Sequence, residues 1–356
     1  MMDIPSKNVL VTGVNGYLGF AIAKLLVLQG YCVRGVVLPN ESYRKLASYP
    51  IQIYVGDILD EDFVAECVDS IDYIFHTASL YTATPFYASK NRVMDRVNLE
   101  GAENLLKCAL KAGVKKFIYT GSTGSIGVRD DGQASDELTA FNDLSKRSQY
   151  EISKKKAEDI VLSYHQKGLC VCSINPSFLV GEGDSRPSPT GEVIIKFLNR
   201  TYPCYFDGTI CLSDLTSVVK AHIQALTKAQ SGEKYIVVVD EIISIKEFFA
   251  LLQKISGIRA PRFKLPIGLL MFVAQANEFL LLILGLKNKF RPLISYELLR
   301  YFTLGVTYSA NKAKRDLDYI PTKLEDECRK AVRWFMLHGH IKKSSRIKYY
   351  KHIGKL

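Results

Sequence analysis

Residues 12–19 read Thr12-Gly13-Val14-Asn15-Gly16-Tyr17-Leu18-Gly19 and join a short apolar run, 8–12, to a segment of helical period, 17–29. The first glycine permits a tight turn, the second lets the backbone approach a phosphate at the start of the helix, and the third allows close packing of helix on strand. A strand, a glycine turn and a helix in this order predict a dinucleotide-binding crevice in an α/β fold. The residues expected to contact the dinucleotide here are Gly13, Asn15, Gly16, Tyr17, Leu18 and Gly19.

Working outward, short runs rich in β-branched residues alternate with helical segments as far as residue 240. The runs are apolar throughout, as expected for strands covered by helices on both faces. The predicted strands are Asn8–Thr12, Cys32–Val37, Ile51–Val55, Tyr73–His76, Phe117–Thr120, Val171–Asn175 and Tyr235–Val239. The predicted helices are Tyr17–Gln29, Glu61–Val68, Arg92–Ala112 and Lys146–Gln166. We therefore predict a Rossmann-type, doubly wound parallel sheet whose ligands bind at the carboxyl ends of the strands.

The regular alternation ends near residue 175, and the later chain is mostly helix and turn. We predict an NAD(P)-binding domain at 1–175, to which 208–240 return, and a smaller, mostly helical substrate lobe at 176–207 and 241–338. The formal net charge of +11 is concentrated partly in a basic tail, 339–356, with Lys342, Lys343, Arg346, Lys348, Lys351 and Lys355. This tail is either solvated and poorly ordered or attracted to anionic lipid, and nucleic acid is not expected.

The eight cysteines contain neither a Cys-x-x-Cys pair nor a Cys/His cluster with zinc-site spacing, so no metal site is expected. They are predicted to be reduced, mostly buried thiols of a cytoplasmic protein. Met1–Lys7 lead directly into the first strand and lack the features of a signal peptide.

One apolar stretch, 265–286, is interrupted only by Gln275, Asn277 and Glu278 at its centre. Central polar groups oppose insertion across a bilayer. Three interpretations stay open: a helix packed in the lobe, a surface that touches a membrane from the cytoplasmic side, and a true membrane span.

The end of the second strand decides between NAD and NADP, because an acid there usually binds the ribose 2′-hydroxyl of NAD. This chain has Val36-Val37-Leu38-Pro39-Asn40 at that point. Arg34, Arg44 and Lys45 lie nearby and are candidates for the 2′-phosphate of NADP, unless they are solvated surface residues. We therefore expect NADP(H) to be favoured over NAD(H). Asp57 is a candidate acceptor for the adenine amine or, alternatively, a helix N-cap.

The pattern Tyr-x-x-x-Lys occurs at Tyr150/Lys154, Tyr308/Lys312 and Tyr319/Lys323, so the pattern alone is uninformative. Tyr150 and Lys154 fall in one helical segment, where a spacing of four puts both on one face about 6 Å apart along the axis. Pro321 interrupts the third pair. Only the first pair follows a strand that ends in a hydroxyl cluster, Thr120-Gly121-Ser122-Thr123-Gly124-Ser125.

The chemistry of alcohols and ketones explains why these residue types would occur together. A nearby ammonium favours ionisation of a phenol whose ordinary pKa is about 10. Tyr150 is then a candidate to take a proton from an alcohol or give one to a carbonyl. Lys154 would lower the pKa of Tyr150 and hold the nicotinamide ribose, while Ser122 would hydrogen-bond the substrate oxygen. The alternative is a surface Tyr–Lys pair beside a hydroxyl-rich turn.

Further segments match one family in order along the chain: Gly56-Asp57, His76-Thr-Ala-Ser79, Val97-Asn98-Leu-Glu-Gly101-Ala-Glu-Asn104, Ile118-Tyr-Thr-Gly-Ser122, Asn175-Pro176, Asp214-Leu-Thr-Ser-Val218 and Tyr308-Ser-Ala-Asn-Lys-Ala-Lys-Arg-Asp-Leu317. From about residue 7 to residue 337 the chain resembles the extended short-chain dehydrogenases/reductases, which are epimerase/dehydratase-like. Within them it is most similar to the branch of dihydroflavonol 4-reductases and 3-beta-hydroxysteroid dehydrogenases.

The resemblance implies that Ser122, Tyr150 and Lys154 are catalytic, with Ser125 and Thr123 as alternatives to Ser122, and that Asn98 supports the active site. It also implies further cofactor contacts from Ile58, Thr77, Ala78, Ser79, Tyr150, Lys154 and Pro176. The chain departs from the family at Leu38, where an arginine is usual, and at Gly121 and Asn175, where serine and arginine are usual. Steroid-type members often carry a membrane-associating apolar segment, which favours that interpretation of 265–286.

Three functions follow as hypotheses. The leading one is an NAD(P)-dependent oxidoreductase that interconverts a ketone and a secondary alcohol on a fairly apolar, ring-bearing substrate such as a sterol, terpenoid or polyphenol. The second is a nucleotide-sugar epimerase or dehydratase that keeps its cofactor bound, with Arg186 and Arg200 as candidates for a diphosphate site. The third is a non-catalytic NADP(H) sensor or assembly factor. The resemblance also suggests a homodimer formed through 92–112 and 146–166.

Overall fold

The computed structural model describes residues 7–81, 88–142, 147–283, 296–303 and 305–355. Its strands are β1 (Asn8–Thr12), β2 (Cys32–Val37), β3 (Ile51–Val55), β4 (Tyr73–His76), β5 (Lys116–Thr120), β6 (Val171–Pro176), β7 (Phe178–Val180), β8 (Cys204–Tyr205), β9 (Thr209–Ile210), β10 (Leu212–Asp214), β11 (Glu233–Val237), β12 (Ile243–Ser244) and β13 (Phe263–Lys264).

The α-helices are α1 (Tyr17–Leu28), α2 (Glu61–Val68), α3 (Ala88–Asp95), α4 (Gly101–Lys111), α5 (Gln149–Ser163), α6 (Pro189–Leu198), α7 (Leu215–Lys228), α8 (Ile245–Ser256), α9 (Ile267–Ile283), α10 (Tyr296–Thr303), α11 (Asn311–Leu317), α12 (Leu324–Leu337) and α13 (Lys343–His352). Short 3-10 helices occur at Arg44–Ser48, Thr123–Ser125 and Tyr164–Lys167.

Seven parallel strands form the main sheet in the order β11-β6-β5-β4-β1-β2-β3. Because the order reverses between β1 and β4, the loops that follow these two strands diverge and leave a crevice at their carboxyl ends. Separate apolar clusters cover the two faces of the sheet. The predicted doubly wound fold is confirmed, with its ligand edge where the glycine loop lies.

Four of the predicted strands have the predicted bounds, and the seventh begins and ends two residues earlier, at Glu233 and Val237. The predicted helix 92–112 is interrupted by a π-helical turn, Arg96–Glu100. The predicted helix 146–166 begins only at Gln149, because Ser148 and Glu151 form a reciprocal capping box. Lys146 lies outside the described residues.

The lobe has its own apolar core, built mainly from α6, α8, α12 and the small sheets around them. Two predicted boundaries change. Val306, Tyr308, Leu317 and Tyr319 pack against the main sheet and not in the lobe. The basic tail is no loose appendage, because α13 buries Tyr349 in the lobe core.

The apolar stretch 265–286 forms α9 as far as Ile283, and 284–286 lie outside the described residues. One side of α9 packs on the lobe through Leu270, Met271 and Ala274. None of the described helices is long and apolar enough to cross a membrane. All eight cysteines are unpaired thiols, and five of them are buried.

Candidate active site

The glycine loop connects β1 to α1 with almost no free space around it. Gly13 has a φ of 66°, in the left-handed region that favours glycine. A Cβ on Gly19 would lie 2.2 Å from the carbonyl oxygen of Gly13 and 2.5 Å from Thr77 Oγ1. Thr77 Oγ1 in turn donates to the carbonyl oxygen of Thr12 at 2.7 Å, which ties the loop to the end of β4. Glycine is therefore required at both positions for the close approach of helix, loop and strand.

The amino end of α1 fits a phosphate group. Its N-cap is Gly16, which has no capping side chain, and its first turn contains no acid. Backbone N–H groups at such a helix end favour an anion. The side chain of Tyr17 turns toward the lobe. Burial there raises the pKa of Tyr17 well above the ordinary value, and the negative charges of Asp184 and Glu327 raise it further. Only the backbone of Tyr17 is thus placed for a dinucleotide.

The three cations proposed for a 2′-phosphate do not lie together in the structure. Arg34 points to the opposite edge of the sheet, where its Nη1 donates to the carbonyl oxygen of Cys67 at 2.7 Å and its guanidinium lies 4.6 Å from the Tyr54 ring centre. The prediction that Arg34 lies at the phosphate is wrong, because its guanidinium is engaged by carbonyl groups at the end of α2. Arg44 is exposed, and Lys45 lies 4.9 Å from the Phe20 ring centre with a buried Nζ.

The same loop brings an acid to the glycine loop that sequence reasoning missed. Glu41 accepts hydrogen bonds from Asn15 Nδ2 at 3.2 Å and from Arg186 Nη1 at 2.6 Å. The hydrogen bond from Arg186 lowers the pKa of Glu41. Burial opposes this effect, and the hydrogen bond from Asn15 adds to it. The only sequence signal was an acid four residues beyond Val37.

Asp57 and Ile58 follow β3 at the edge predicted for the adenine. Asp57 Oδ1 accepts from the Leu59 N–H at 3.0 Å, and the N-cap of α2 is Asp60, so Asp57 is not the cap of that helix. Ile58 is buried, with its side chain against Gly101.

Asn98 joins the loop after β4 to α5. Asn98 Oδ1 accepts from Ser79 Oγ at 3.1 Å and from the Leu80 N–H at 2.8 Å, while Nδ2 donates to Leu80 O and to Ser153 Oγ. Asn98 lies within the π-helical turn, and such turns are frequent at functional sites. This network fixes Ser79 and Leu80 at the crevice, whereas Thr77 and Ala78 are held there by hydrogen bonds to Thr12.

Ser122 and Tyr150 face the same cavity at the carboxyl end of β5. Burial raises the pKa of Tyr150 to about 12, although a hydrogen bond with the Ser122 side chain lowers it. The Tyr150 ring makes an edge contact with Tyr81, with ring centres 4.8 Å apart. The expectation that Lys154 lowers the pKa of Tyr150 is wrong for this structure, because burial outweighs the other effects and Lys154 is not among the causes of the shift. The phenol is therefore neutral at neutral pH and able to donate a proton. Ser125, by contrast, is directed to a buried network, where its Oγ donates to Glu158.

Lys154 is fully buried below the crevice. Its Nζ donates to the carbonyl oxygen of Thr120 at 2.7 Å and lies 4.4 Å from the Tyr119 ring centre. Burial lowers the pKa of Lys154 to about 7, and the charge of Glu158 opposes this effect. The ammonium is thus placed beneath the edge where a ribose would lie, on the helical face that also carries Tyr150.

A buried carboxylate that the sequence analysis missed anchors the loop of Ser122. Glu158 accepts from Ser173 Oγ at 2.8 Å, from Asn175 Nδ2 at 2.6 Å and from Ser125 Oγ at 2.9 Å. Asn175 Nδ2 also donates to the carbonyl oxygen of Ser122 at 3.1 Å. A Cβ on Gly121 would lie 2.8 Å from Asn175 Nδ2, so the two departures from the family pattern are physically coupled. The position of Glu158, one turn after Lys154, was its only sequence signal.

A cavity of about 410 Å³ opens onto Ser122 and Tyr150. β6 ends at the buried Pro176, and the residues that follow it enter the cavity wall. The surface of the wall is mostly apolar, and its described charged side chains are Glu151, Arg186 and Arg300. Its larger apolar and aromatic side chains are Tyr81, Phe178, Leu179, Pro187, Pro189 and Tyr301. Arg300 Nη2 lies 3.8 Å from Glu151, whose carboxylate also binds Arg147 at 2.9 Å. Arg200 is not part of this wall, so only Arg186 of the two arginines proposed for a diphosphate lies here.

Comparison with known proteins identifies the family. Residues 9–239 match the model of the NAD dependent epimerase/dehydratase family. A Synechocystis protein named as a candidate dihydroflavonol 4-reductase is 32% identical over 93% of this chain and 95% of its own. A 3 beta-hydroxysteroid dehydrogenase/Delta 5-->4-isomerase of Mycobacterium tuberculosis is 28% identical over 88% of this chain and 86% of its own. The crystal structure of gox2253 superimposes with a TM-score of 0.80 at 31% identity, covering 95% of this chain and 100% of that one.

The matched region, 9–239, includes the glycine loop as well as Ser122, Tyr150 and Lys154. The resemblance predicted from the motifs is confirmed. The chain belongs to the NAD-dependent epimerase/dehydratase family of extended short-chain dehydrogenases/reductases, and it is an NAD(P)-dependent enzyme of the oxidoreductase type.

Proposed function

We propose that this enzyme interconverts a ketone and a secondary alcohol on a fairly apolar, ring-bearing substrate of sterol, terpenoid or polyphenol type. The observation that carries the proposal is the cavity over Ser122 and Tyr150, whose volume of about 410 Å³ lies in the range of small-molecule sites. Phe178, Leu179 and Tyr301 offer it apolar and aromatic surface. The names of the relatives, one a steroid dehydrogenase and one a flavonoid reductase candidate, agree with such a substrate.

Each side chain then has a defined task. When bound, the dinucleotide supplies or accepts the hydride. Tyr150 donates its phenolic proton to the carbonyl oxygen during reduction, and its raised pKa keeps that proton available at neutral pH. Ser122 Oγ donates a hydrogen bond to the same oxygen as negative charge develops. Lys154 would hold the ribose of the bound dinucleotide, and Asn98 and Glu158 hold the loops on either side.

The direct test is a turnover assay with purified protein, NADPH and a panel of 3-ketosteroids and dihydroflavonols, followed by loss of absorbance of the reduced cofactor. Stoichiometric reduction of one class supports the proposal. Conversion of UDP-glucose to UDP-galactose without net consumption of the cofactor would instead establish the epimerase alternative.

The nucleotide-sugar alternative has one observation in its favour, which is that Arg186 and Arg300 both line the cavity. Both guanidinium groups already face carboxylates, Arg186 on Glu41 and Arg300 near Glu151. A diphosphate would have to displace these partners, whereas an apolar substrate would not. The non-catalytic alternative predicts tight NADPH binding with no turnover of any carbonyl compound.

For the cofactor we propose NADP(H) over NAD(H). The proposal now depends on Arg44, which is exposed, and on Lys45, whose ammonium has no hydrogen-bond partner among the described residues. The acid in this region, Glu41, has its charge engaged by Arg186 at 2.6 Å. A 2′-phosphate would therefore meet two cations and a carboxylate that is already paired.

The Gly16→Asp variant is expected to weaken NADPH and NADH binding by at least about 100-fold, because a carboxylate would occupy the phosphate position at the amino end of α1. Lys45→Ala should weaken binding of NADPH by about tenfold and leave NADH unchanged. Fluorescence titration of both cofactors measures this. Leu28→Asp, an exposed site at the far end of α1, serves as the charge-matched control. Equal affinity of Gly16→Asp and the parent protein would contradict the assignment of the crevice.

We propose that α9 contacts a phospholipid surface from the cytoplasmic side. Apolar side chains that are more than half exposed continue along the helix: Leu269, Phe272, Val273, Phe279, Leu280 and Ile283. The exposed Arg259 and Arg262 lie just before α9 in the chain, where they would attract anionic headgroups. An apolar face of this extent is unfavourable in water and favourable at the boundary between headgroups and acyl chains.

The Phe272→Asp variant should lower the fraction of protein that floats with phosphatidylcholine/phosphatidylserine vesicles by about tenfold, because burial of one aromatic side chain stabilises binding by about 1.5–3 kcal/mol. Leu138→Asp, at an exposed leucine outside α9, should float like the parent protein. Equal flotation of all three proteins would contradict the membrane proposal.

The homodimer stays a prediction, and gel-filtration mass in detergent-free buffer tests it.

A further inference from the structure

A second cavity, of about 280 Å³, lies on the lobe and shares no lining residue with the candidate active site. Every charged side chain in its wall is cationic among the residues that the structure describes: Arg200, Arg259 and Lys348. The rest of the wall is Phe197, Tyr202, Ala260 and Pro261. We call this cavity the lobe cation pocket.

Three separate parts of the chain build the lobe cation pocket. Arg200 follows α6, Arg259 follows α8, and Lys348 lies within α13. Partial burial is the main cause that lowers the pKa of Lys348, and the positive charges of Arg200 and Arg259 lower it further. Repulsion between like charges opposes such a cluster, and none of the three pairs with a carboxylate in the part of the chain that the structure describes. The arrangement therefore leaves a concentrated, uncompensated positive charge.

The backbone of Arg200 adds an independent observation. Its φ is 56°, the left-handed conformation in which glycine is favoured. The Arg200 N–H donates to Phe197 O and the Thr201 N–H to Lys196 O, which is the Schellman ending of a helix, and glycine usually occupies the position that Arg200 has here. The negative end of the α6 dipole favours a cation at Arg200 but does not explain Lys348, which lies in the middle of α13. Arg200 thus has a backbone conformation that costs free energy for any residue other than glycine, and its side chain lies in the wall of the lobe cation pocket.

We propose that the lobe cation pocket binds a phosphate monoester, held by Arg200, Arg259 and Lys348, with the rest of the ligand against Phe197 and Tyr202. Guanidinium groups bind phosphate oxygens through paired hydrogen bonds, and the lysine adds a third charge-assisted bond. The phosphate could belong to a soluble metabolite or to a lipid headgroup, and both offer the same group to the cations. The site does not depend on the dehydrogenase activity proposed above.

The decisive variant is Arg200→Gly, because it removes one phosphate ligand while relieving backbone strain. Calorimetric titration of the full chain with glycerol 3-phosphate should show saturable binding of one equivalent, weakened about tenfold or more in Arg200→Gly and in Lys348→Met. The melting temperature of Arg200→Gly should equal or exceed that of the parent protein. Lys351→Met, an exposed cation on α13 outside the pocket, should bind like the parent protein.

A vesicle arm separates the two sources of phosphate. Flotation with phosphatidylcholine vesicles, with and without phosphatidic acid, is measured for the same variants. Binding of glycerol 3-phosphate alone identifies a soluble ligand, whereas binding only to vesicles with phosphatidic acid, lost in Arg200→Gly, identifies a headgroup. If Arg200→Gly binds both probes as the parent protein does, or if the parent protein binds neither, the proposal is overturned.

Discussion

Replacement of Tyr150 by phenylalanine is expected to lower kcat by about 10²–10⁴-fold, the range over which a positioned proton donor contributes to catalysis. Tyr150 faces the cavity beside Ser122, and its pKa of about 12 keeps the phenol protonated at neutral pH. Removal of the hydroxyl leaves no donor at that atom but keeps the ring and its contact with Tyr81. Affinity for the dinucleotide should therefore change little.

The control for Tyr150→Phe is Tyr319→Phe, which removes a hydroxyl from another Tyr-x-x-x-Lys pair. Tyr319 Oη donates to Val238 O at 3.1 Å in the core, away from the cavity. This variant should lose about 1 kcal/mol of stability and keep full kcat. Steady-state kinetics on the substrate found in the panel, with melting curves for both variants, gives the comparison. Full turnover by Tyr150→Phe would refute the proton-donor role.

Replacement of Glu158 by alanine is expected to lower the free energy of unfolding by about 3–5 kcal/mol, as for removal of one member of a buried, charged network. Three donors from Ser125, Ser173 and Asn175 would lose their common acceptor in the buried interior. Because Asn175 also holds the carbonyl oxygen of Ser122, kcat should fall as well, even where the variant is folded.

Urea denaturation followed by circular dichroism measures the stability effect, and kcat is measured well below the melting temperature. Asp159→Ala is the matched control. The carboxylate of Asp159 is exposed and pairs with Lys155, so we expect a change within about 1 kcal/mol. Glu158→Gln should lie between the two, because an amide keeps the volume and one acceptor but not the charge beside Lys154. If Glu158→Ala is as stable as Asp159→Ala, the hydrogen-bond network of Glu158 does not stabilise the fold, and the prediction is wrong.

The cofactor end of the site shows where reasoning from the sequence succeeds and where it fails. The glycine loop was predictable because backbone conformation and helix start are properties of adjacent residues. Arg34 was misplaced because proximity to the second strand says nothing about which edge of the sheet a long side chain reaches. Its guanidinium finds unpaired carbonyl groups at the end of α2, at the edge opposite the crevice. Glu41 reaches Asn15 from the same loop, although no local pattern distinguished it.

Local sequence is sufficient to specify the doubly wound sheet, the glycine turn and the helical face that carries Tyr150 and Lys154, because periodicity and glycine content act between near neighbours. Only the tertiary structure decides which distant groups meet. Glu41 pairs with Arg186 across 145 residues, Asn175 fills the space left by Gly121, and α13 brings Lys348 to Arg200. Such contacts depend on the packing of whole helices and strands. The position of a charged residue in the sequence therefore does not predict which opposite or like charge lies beside it in the folded protein.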